Sequence, residues 1–358
     1  MKVLVLTVVH DPEDARVRYR QIPALVAAGH EVTLAASFTE HGRELPQDIH
    51  AIDIARAHGR HRFSAILRAR RLLRAEARNF DVVLMHDPEL LLAAVGLREG
   101  RFVWDVHEDT VATLRLKSWL PKPLRPPVAA FARLFERFAE RRMHLLLAEE
   151  SYRERFRRAH PVVPNSVVPP ERVPTEADRR VVYVGKVSAA RGASEMVELG
   201  RRLAPEIEVH VYGSAEPDCI ELLRSGHAEG AIVWHGFVPN DEALSRLEGA
   251  LAGLSLLHDE PNYAHSVPTK MLEYLAHGVP VVTTPNPVSV SIVEQGDCGI
   301  VVPFEEVEAA EKAVRALDAD RAERDRLASN GRALVLERFD WREDAKRFVA
   351  ALEGFARV

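Results

Sequence analysis

The sequence predicts an α/β protein built from two doubly wound, Rossmann-like domains. Strand and helix patterns alternate along all 358 residues, which is typical of parallel sheets covered by helices on both faces. With 47% hydrophobic residues, a chain of this length can bury two substantial cores. A stretch rich in proline and charge, 167–180, is interpreted as the linker between the halves.

The first half opens as a βαβ unit. A strand is predicted over 2–9, and Ile22, Leu25 and Val26 mark the buried face of a helix. Gly29 ends that helix before the next strand. The strands predicted for this half cover 2–9, 31–36, 82–85, 102–106 and 145–148.

The second half repeats the alternation, and its predicted strands cover 181–184, 208–212, 232–234, 254–257 and 280–283. The last stretch, from 339, has Trp341, Phe348, Val349 and Leu352 at helical spacing. The domains are therefore predicted at 1–168 and 178–338, facing a common cleft.

Composition excludes several classes of function. The 48 basic and 53 acidic residues nearly cancel, so no nucleic-acid partner is expected. Cys219 and Cys298 lie far apart and fit a reducing compartment, and the scattered histidines show no metal-binding spacing. No apolar run approaches the roughly 20 residues of a membrane span. We expect a cytoplasmic protein, at most peripheral at the inner face of the plasma membrane.

The segment 266–282 is typical of a nucleotide site. Ser266 to Thr269 precede a short helix, whose first N–H groups favour an anion such as a diphosphate. Glu273, about two turns after Ser266, would repel phosphate but suits the two hydroxyls of a ribose. Helices that begin with Ser or Pro and end in Gly occur in any α/β protein, so a purely structural segment is the alternative.

A second phosphate-binding element follows the strand at 181–184. Gly185 lets the backbone pass close to a ligand, and Lys186 and Arg191 lie on the strand-to-helix turn, where open α/β sheets bind ligands. Charged residues in such turns are often only solvated. Together with the segment at 266, however, the two cations favour a diphosphate clamp.

These motifs resemble the GT-B glycosyltransferases of family 4. Their second domain opens with a strand, Gly-Arg, a loop and Lys-Gly, and later carries Glu, seven residues and Glu before Gly-x-Pro-Val-Val. Here Lys186 stands at the family's arginine, Arg191 at its lysine and Glu273 at its second glutamate. His265 replaces the first glutamate, which puts the identity of the donor sugar in doubt.

The resemblance extends over nearly the whole chain. His-Asp-Pro-Glu-Asp-Ala-Arg at 10–16, His-Asp-Pro-Glu at 86–89 and Asp-Val-His-Glu-Asp at 105–109 are similar to the first-domain loops of one branch of the family. Val-Pro-Asn-Ser at 163–166 resembles the Val-Pro-Asn-Gly that precedes the interdomain linker. In this fold the final helix, here 339–358, crosses back onto the first domain.

The resemblance implies a retaining, metal-independent, hexosyltransferase-like enzyme of polysaccharide biosynthesis. It would move a sugar from a nucleotide diphosphate sugar to a saccharide or lipid-linked glycan, with no cofactor and no metal. The implied catalytic residues are His107, Lys186 and Arg191. The implied donor-binding residues are Gly185, Lys186, Arg191, His265, Ser266, Val267, Pro268, Thr269, Lys270 and Glu273. The implied acceptor or cleft residues are His10, Asp11, Arg16, His86, Glu108 and Asp109.

Alternatives stay open at several of these positions. His107 could be a loop histidine that caps its neighbours, and Arg16 could form a surface salt bridge instead of reaching donor phosphates or an acidic acceptor. Rival functions are a non-catalytic sugar-nucleotide-binding protein, suggested by the missing first glutamate, and an epimerase or phosphorylase of the same fold. For those two enzymes we find neither the additional acids nor the pyridoxal lysine.

The segment 114–142 mixes aromatic and basic residues. The favoured interpretation is that Phe131, Leu134, Phe135 and Phe138 face the protein core while the arginines point outward. Alternatively, the segment contacts an anionic membrane that carries lipid-linked acceptors, through Trp119 and its basic residues.

Overall fold

A computed structural model describes residues 1–97, 101–107, 125–173, 178–261 and 263–357. Its strands form two six-stranded sheets. Those of the first sheet are β1 Lys2–Leu6, β2 Glu31–Ala36, β3 His50–Asp53, β4 Val82–Met85, β5 Phe102–Val106 and β6 His144–Leu147. Those of the second are β7 Arg180–Val184, β8 Glu208–Tyr212, β9 Val233–Gly236, β10 Ala252–Ser255, β11 Val281–Thr283 and β12 Gly299–Val301.

Both sheets have the same topology. The first runs β3-β2-β1-β4-β5-β6 and the second β12-β11-β10-β7-β8-β9, with every strand pair parallel. In each, the order reverses between the first and fourth strand of the unit, and ligands of doubly wound folds bind beyond the carboxyl ends of the strands at that point. These points lie beside β1 and β4, and beside β7 and β10.

Helices connect the strands. Those of the first half are α1 Ile22–Ala27, α2 Phe38–His41, α3 Arg62–Glu76, α4 Pro88–Ala94 and α5 Arg125–Arg142, with a π-helix at Val17–Gln21 and 3-10 turns at Gly59–His61, Ala77–Asn79 and Glu150–Arg155. Those of the second half are α6 Ala193–Leu203, α7 Ile220–Ala228, α8 Asn240–Ser245, α9 Thr269–Ala276, α10 Pro287–Gly296, α11 Val307–Ala319 and α12 Arg321–Arg338, with a 3-10 turn at Ala189–Arg191, before the final helix α13 Trp341–Arg357.

The α/β fold class is confirmed, and the predicted strands are found within one to three residues at each end. Strands β3 and β12 were not predicted. Both are short edge strands whose residues are half-buried or exposed, so they lack the apolar run that marks a central strand.

The second sheet is buried on both faces. Val181 and Tyr183 of β7 pack into one hydrophobic cluster, whereas Val182 and Val184 pack into another. Because successive side chains of a strand point to opposite faces, an uninterrupted apolar strand supplies both cores.

The described chain divides into two compact units, residues 1–165 with 342–358, and residues 166–341. Helix α13 lies in the first unit, where its Glu353 carboxylate is 3.2 Å from Nε2 of His30. Within the described ranges, no helix is both long and apolar enough to cross a bilayer.

Candidate active site

In the second unit, β7 ends beside a buried lysine. Gly185 has φ of +123°, a backbone conformation that disfavours any side chain. A Cβ built at Gly185 would lie 3.9 Å from Cε and 4.0 Å from Nζ of Lys270. The end of β7 therefore faces the lysine on α9.

Lys270 has an unusual environment. Its Nζ is buried and has no hydrogen-bond partner among the residues that the structure describes, although it lies 3.8 Å from the centre of the Tyr183 ring. Burial, and then the charge of Arg191, hold the pKa of Lys270 well below its ordinary value, while Glu273 acts in the opposite direction. An ammonium without acceptors is costly to bury, so this group is suited to an incoming anion.

The two cations predicted as a clamp are arranged differently from each other. Arg191 is half-buried at the end of the 3-10 turn, and its Nη1 donates to the main-chain oxygen of Lys186 at 3.3 Å. The Lys186 side chain is 55% exposed, and its Nζ donates to Glu216 at 2.7 Å. The two basic residues that influence each other electrostatically in this site are therefore Arg191 and Lys270, and Lys186 is not one of them.

Glu273 lies on α9 and is 5% exposed. The next residue, Tyr274, fixes the helix against the sheet, because its hydroxyl donates to the Leu254 carbonyl and accepts from the N–H of Val184. The preceding residues Ser266, Val267, Pro268 and Thr269 are half-buried, and His265 is exposed. The structure thus brings Glu273 into the region of Lys270 and Arg191.

In the first unit, three predicted histidines come together at the ends of β1, β4 and β5. Nε2 of His10 lies 2.9 Å from Nε2 of His107, and the His86 and His107 ring centres are 5.6 Å apart. Nδ1 of His107 lies 3.1 Å from the Asp105 main-chain oxygen. Burial, and then the neighbouring His10, lower the pKa of His107 to about 3, which leaves this imidazole neutral.

Asp105 and Arg16 form a buried ion pair below the histidines. Nε and Nη2 of Arg16 donate to the two Asp105 oxygens at 2.7 and 2.8 Å, and its other N–H groups donate to Val163, Pro164 and Asn165. Burial alone would raise the pKa of Asp105, but Arg16 holds it well below its ordinary value. With its donors engaged in this way, Arg16 has a structural role, so the structure does not favour the predicted contact with phosphates or an acidic acceptor.

Sequence reasoning missed Asp87 as part of this site. Its Oδ2 accepts hydrogen bonds from Thr7 Oγ1 at 2.9 Å and from the N–H groups of Val8 and Val9 at 2.5 and 3.2 Å. Its Oδ1 lies 3.2 Å from Nε2 of His10. Its position in the sequence could have identified Asp87 as a site residue, since it comes two residues after the buried strand β4.

The other first-unit candidates are separate from this cluster or cannot be placed. Asp11 pairs with Arg43, whose Nη2 donates to its carboxylate at 2.8 Å. Although burial opposes it, this partner lowers the pKa of Asp11. Glu108, Asp109 and the segment 114–124 lie outside the described residues.

The preferred interpretation of the aromatic helix is wrong for three of its four apolar residues. On α5, Phe131 and Leu134 are each 66% exposed and Phe138 is 39% exposed, while Phe135 packs against the core. The helix instead buries its small and acidic residues, Ala129, Ala132, Glu136, Ala139 and Glu140.

Comparison with known proteins agrees with this architecture. The model of Glycosyltransferase Family 4 matches residues 15–170, and that of Glycosyl transferases group 1 matches residues 169–334. No curated protein sequence gives a significant match.

Solved structures show the same fold at low identity. Sucrose-phosphate synthase from Thermosynechococcus elongatus has a TM-score of 0.74 at 16% identity, covering 100% of this chain and 99% of its own. HepE from Anabaena, in complex with UDP and glucose, has a TM-score of 0.71 at 15% identity, covering 99% and 100%. WaaG, a glycosyltransferase involved in lipopolysaccharide biosynthesis, has a TM-score of 0.67 at 16% identity, covering 98% of each chain.

Two Rossmann-like units with these matches define a glycosyltransferase of GT-B fold. Within that class, the first half of the chain matches the family 4 model and the second half matches the group 1 model, and the two matched ranges adjoin along the sequence.

Proposed function

We propose that the chain is a retaining, metal-independent glycosyltransferase that moves a hexose from a nucleotide diphosphate sugar to a saccharide or lipid-linked glycan. The observation that carries the proposal is the buried Nζ of Lys270, which lies beside Gly185 and has no hydrogen-bond acceptor in the described part of the chain. A diphosphate would supply acceptors and negative charge at that position.

In the proposed mechanism, cations stabilise the leaving diphosphate. As the glycosidic bond breaks, negative charge grows on the phosphate oxygens, and groups already in place there lower the barrier by several kcal/mol. Arg191 and Lys270 are those groups, with Lys186 at the rim if it leaves Glu216. No metal is assigned to the diphosphate, because these cations take its place.

Glu273 is proposed to bind the nucleotide ribose, because a carboxylate can accept hydrogen bonds from two hydroxyls. His107, in the other unit, is proposed to serve sugar transfer with a neutral imidazole. The exposed His265 is a candidate contact for the donor sugar. The solved complexes of HepE contain UDP, UDP-glucose, or UDP with glucose. A uridine diphosphate sugar is therefore the first donor to test.

The test is incubation of the purified chain with a panel of nucleotide sugars, followed by mass spectrometry. We expect slow release of nucleoside diphosphate from one donor, and faster release with a glycan acceptor. A protein that binds nucleoside diphosphate but consumes no donor would support the non-catalytic alternative. Proton NMR of the product tests retention, and activity after chelator treatment tests metal independence.

We further propose that α5 rests on an anionic membrane and so reaches lipid-linked acceptors. The observation is the exposed row Phe131, Leu134 and Phe138, beside the exposed arginines 133, 137, 141 and 142. Each basic residue near an anionic surface contributes about 1 kcal/mol, and the apolar side chains add burial.

Sedimentation with vesicles tests this contact. We expect the chain to pellet with phosphatidylglycerol vesicles but less with phosphatidylcholine vesicles. It should be released by 0.5 M salt, where the Debye length falls to about 4 Å. Replacing Phe131, Leu134 and Phe138 by Ser should abolish pelleting. Phe63→Ser is the matched control, because Phe63 is 70% exposed in the same unit but lies on α3. Equal loss in the control would contradict the assignment to α5.

A further inference from the structure

We infer that His258, held by the carboxylate of Glu195, is a positioning residue for Arg191 in the proposed diphosphate site. The inference rests on the proposed function, since it concerns how one of the cations assigned to the diphosphate is held in place. His258 comes three residues after β10, and Arg191 ends the 3-10 turn that follows β7. These strands are neighbours where the order of the second sheet reverses, so their exit loops lie side by side.

The turn that carries Arg191 lies directly against the exit of β10. The main-chain N–H of His258 donates to the carbonyl oxygen of Ala190 at 3.0 Å. Gly192 has φ of +84°, and a Cβ built there would lie 2.6 Å from the carbonyl oxygen of Leu256. Any side chain at Gly192 would therefore push the turn away from β10, so this close approach depends on the glycine.

The side chain of His258 holds the other end of the same segment. Its Nε2 lies 2.9 Å from Oε1 of Glu195, in the first turn of α6. The second carboxylate oxygen of Glu195 accepts from Oγ of Ser194 at 3.0 Å. One residue thus bonds to the chain just before Arg191 through its main chain, and four residues after it through its ring.

The burial of Glu195 supports the importance of this bond. The residue is only 9% exposed, and a carboxylate removed from water is costly unless it is hydrogen-bonded. A glutamate in the first turn of a helix also interacts favourably with the helix dipole, but that interaction does not require burial. The bond to His258, whose side chain is 24% exposed, accounts for the buried position.

The loop that carries His258 is itself fixed to the core of the second unit. The carbonyl oxygen of Leu257 accepts from Oγ1 of Thr284 and, at 3.4 Å, from Nδ2 of Asn286. Both donors are buried. Because the loop is held from the core side, the two bonds of His258 fix the Arg191 turn relative to the sheet.

Arg191 needs this support because it reaches the site on a long side chain. Its Nη1 donates to the main-chain oxygen of Lys186 at 3.3 Å, which is a long hydrogen bond, and its guanidinium also bonds to the side chain of Tyr263. Neither contact fixes the main chain from which the guanidinium extends. An arginine whose main chain is fixed in advance loses less conformational freedom when it binds a diphosphate. Breaking the bond between His258 and Glu195 should therefore weaken diphosphate binding without removing any phosphate contact.

The experiment is calorimetric titration of the full chain with UDP, GDP and ADP, continued with the nucleotide that binds most tightly. His258→Ala and Glu195→Ala should each raise its dissociation constant about threefold or more, as expected when residues of one hydrogen-bond network are uncoupled. His258→Gln should stay within about twofold of the wild type, because the glutamine amide can donate to Glu195 in place of Nε2. Every variant keeps the main-chain bond to Ala190.

A double-mutant cycle separates positioning from direct contact. If His258 acts through Arg191, adding His258→Ala to Arg191→Ala should change the dissociation constant by less than about twofold. A loss that persists in the Arg191→Ala background would mean that His258 contacts the nucleotide itself, and this result would overturn the inference.

The second unit also offers a matched control. Nε2 of His210 lies 2.9 Å from Oε2 of Glu208, the same pair of residue types at the same distance, but within β8. His210→Ala should therefore bind nucleoside diphosphate like the wild type. Thermal unfolding reports the folding of each variant, and Glu195→Ala replaces His258→Ala if the latter does not fold.

The outcomes distinguish this inference from the proposed function. If the wild type binds none of the three nucleotides, or if Arg191→Ala binds as tightly as the wild type, the assignment of the diphosphate fails and this inference fails with it. If Arg191→Ala loses affinity while His258→Ala and Glu195→Ala keep it and only melt earlier, the pair has a purely structural role and the inference alone is overturned. An equal loss of affinity in His210→Ala would overturn it as well.

Discussion

Lys270→Met should weaken nucleoside diphosphate binding while making the empty protein more stable. In the structure, the Lys270 ammonium position is buried against Tyr183 and has no hydrogen-bond acceptor. Methionine fills similar space without a charge. The two effects have opposite signs because the group is poorly solvated before the ligand arrives and well paired afterwards.

The magnitudes follow from the contacts. One charge-assisted hydrogen bond contributes about 1.5–3 kcal/mol, so the dissociation constant should rise roughly 10- to 150-fold. Relief of a buried, unpaired polar group should stabilise the free chain by about 1 kcal/mol, which corresponds to a rise in Tm of about 2–4 °C for a domain of this size.

The assay is calorimetric titration with a nucleoside diphosphate, combined with thermal unfolding of the ligand-free protein. Lys186→Met is the matched control, because Lys186 is a half-exposed lysine of the same unit paired with Glu216. A surface ion pair contributes about 0–1 kcal/mol, so this variant should keep affinity within roughly fivefold. Arg191→Ala should lose affinity as Lys270→Met does.

Equal affinity of Lys270→Met and the wild type would refute the reasoning. So would a loss in Lys186→Met as large as in Lys270→Met, because the phosphate contact would then lie at the rim.

Three further predictions follow from the same contacts. Since a bound diphosphate raises the depressed pKa of Lys270, binding should take up a proton at Lys270. Affinity should therefore fall as pH rises through the range between the lowered pKa of the free protein and the raised pKa of the complex, and the phosphates, with a second pKa of roughly 6, no longer titrate at the alkaline end of that range. Titrations in buffers of different ionisation heat measure this uptake, and none should occur in Lys270→Met. Glu273→Gln should raise the dissociation constant of nucleoside diphosphate. His107→Ala should lower kcat and leave the dissociation constant of nucleoside diphosphate near the wild-type value. If His107→Ala weakened nucleotide binding and Glu273→Gln did not, the assignment of the ribose to Glu273 would be refuted. Arg16→Met leaves Asp105 buried without its ion pair and should destabilise the first unit by about 3–5 kcal/mol, visible as an earlier thermal transition, so an unchanged melting curve would contradict the structural role.

The sequence predicted most of the fold because its central strands are continuous apolar runs. The strands Glu31–Ala36, Val82–Met85, Phe102–Val106 and Glu208–Tyr212 have the predicted bounds, since a strand buried on both faces contrasts sharply with its polar flanks. The edge strands β3 and β12 lack that contrast. Helix α5 shows a different limit, because helical spacing marks a face but does not say whether that face or the alanine face packs inward.

The candidate site was predictable at the level of loops and not of side-chain partners. Gly185, Arg191 and Glu273 follow from motif positions on a doubly wound sheet. The pairing of Lys186 with Glu216, thirty residues away, and that of Asp87 with the end of β1, about eighty residues away, depend on loop conformations that no local pattern encodes. As a result the clamp was assigned to Lys186 and Arg191, whereas the contacts in the structure favour Lys270 and Arg191 in the proposed diphosphate site.

Buried ionisable atoms without hydrogen bonds are a feature that the two candidate sites share. Among the described residues, such atoms belong to His30, His86, Asp87 and Lys270, and the His30 nitrogen has the Glu353 carboxylate 3.2 Å away. The other three lie where strands end at the reversal of sheet order, in one unit or the other. Burial without a partner costs folding free energy, so a fold retains it where a ligand repays that cost. In the second unit the atom is the Lys270 amine, which suits a diphosphate, whereas in the first unit the atoms belong to the His86 imidazole and the Asp87 carboxylate.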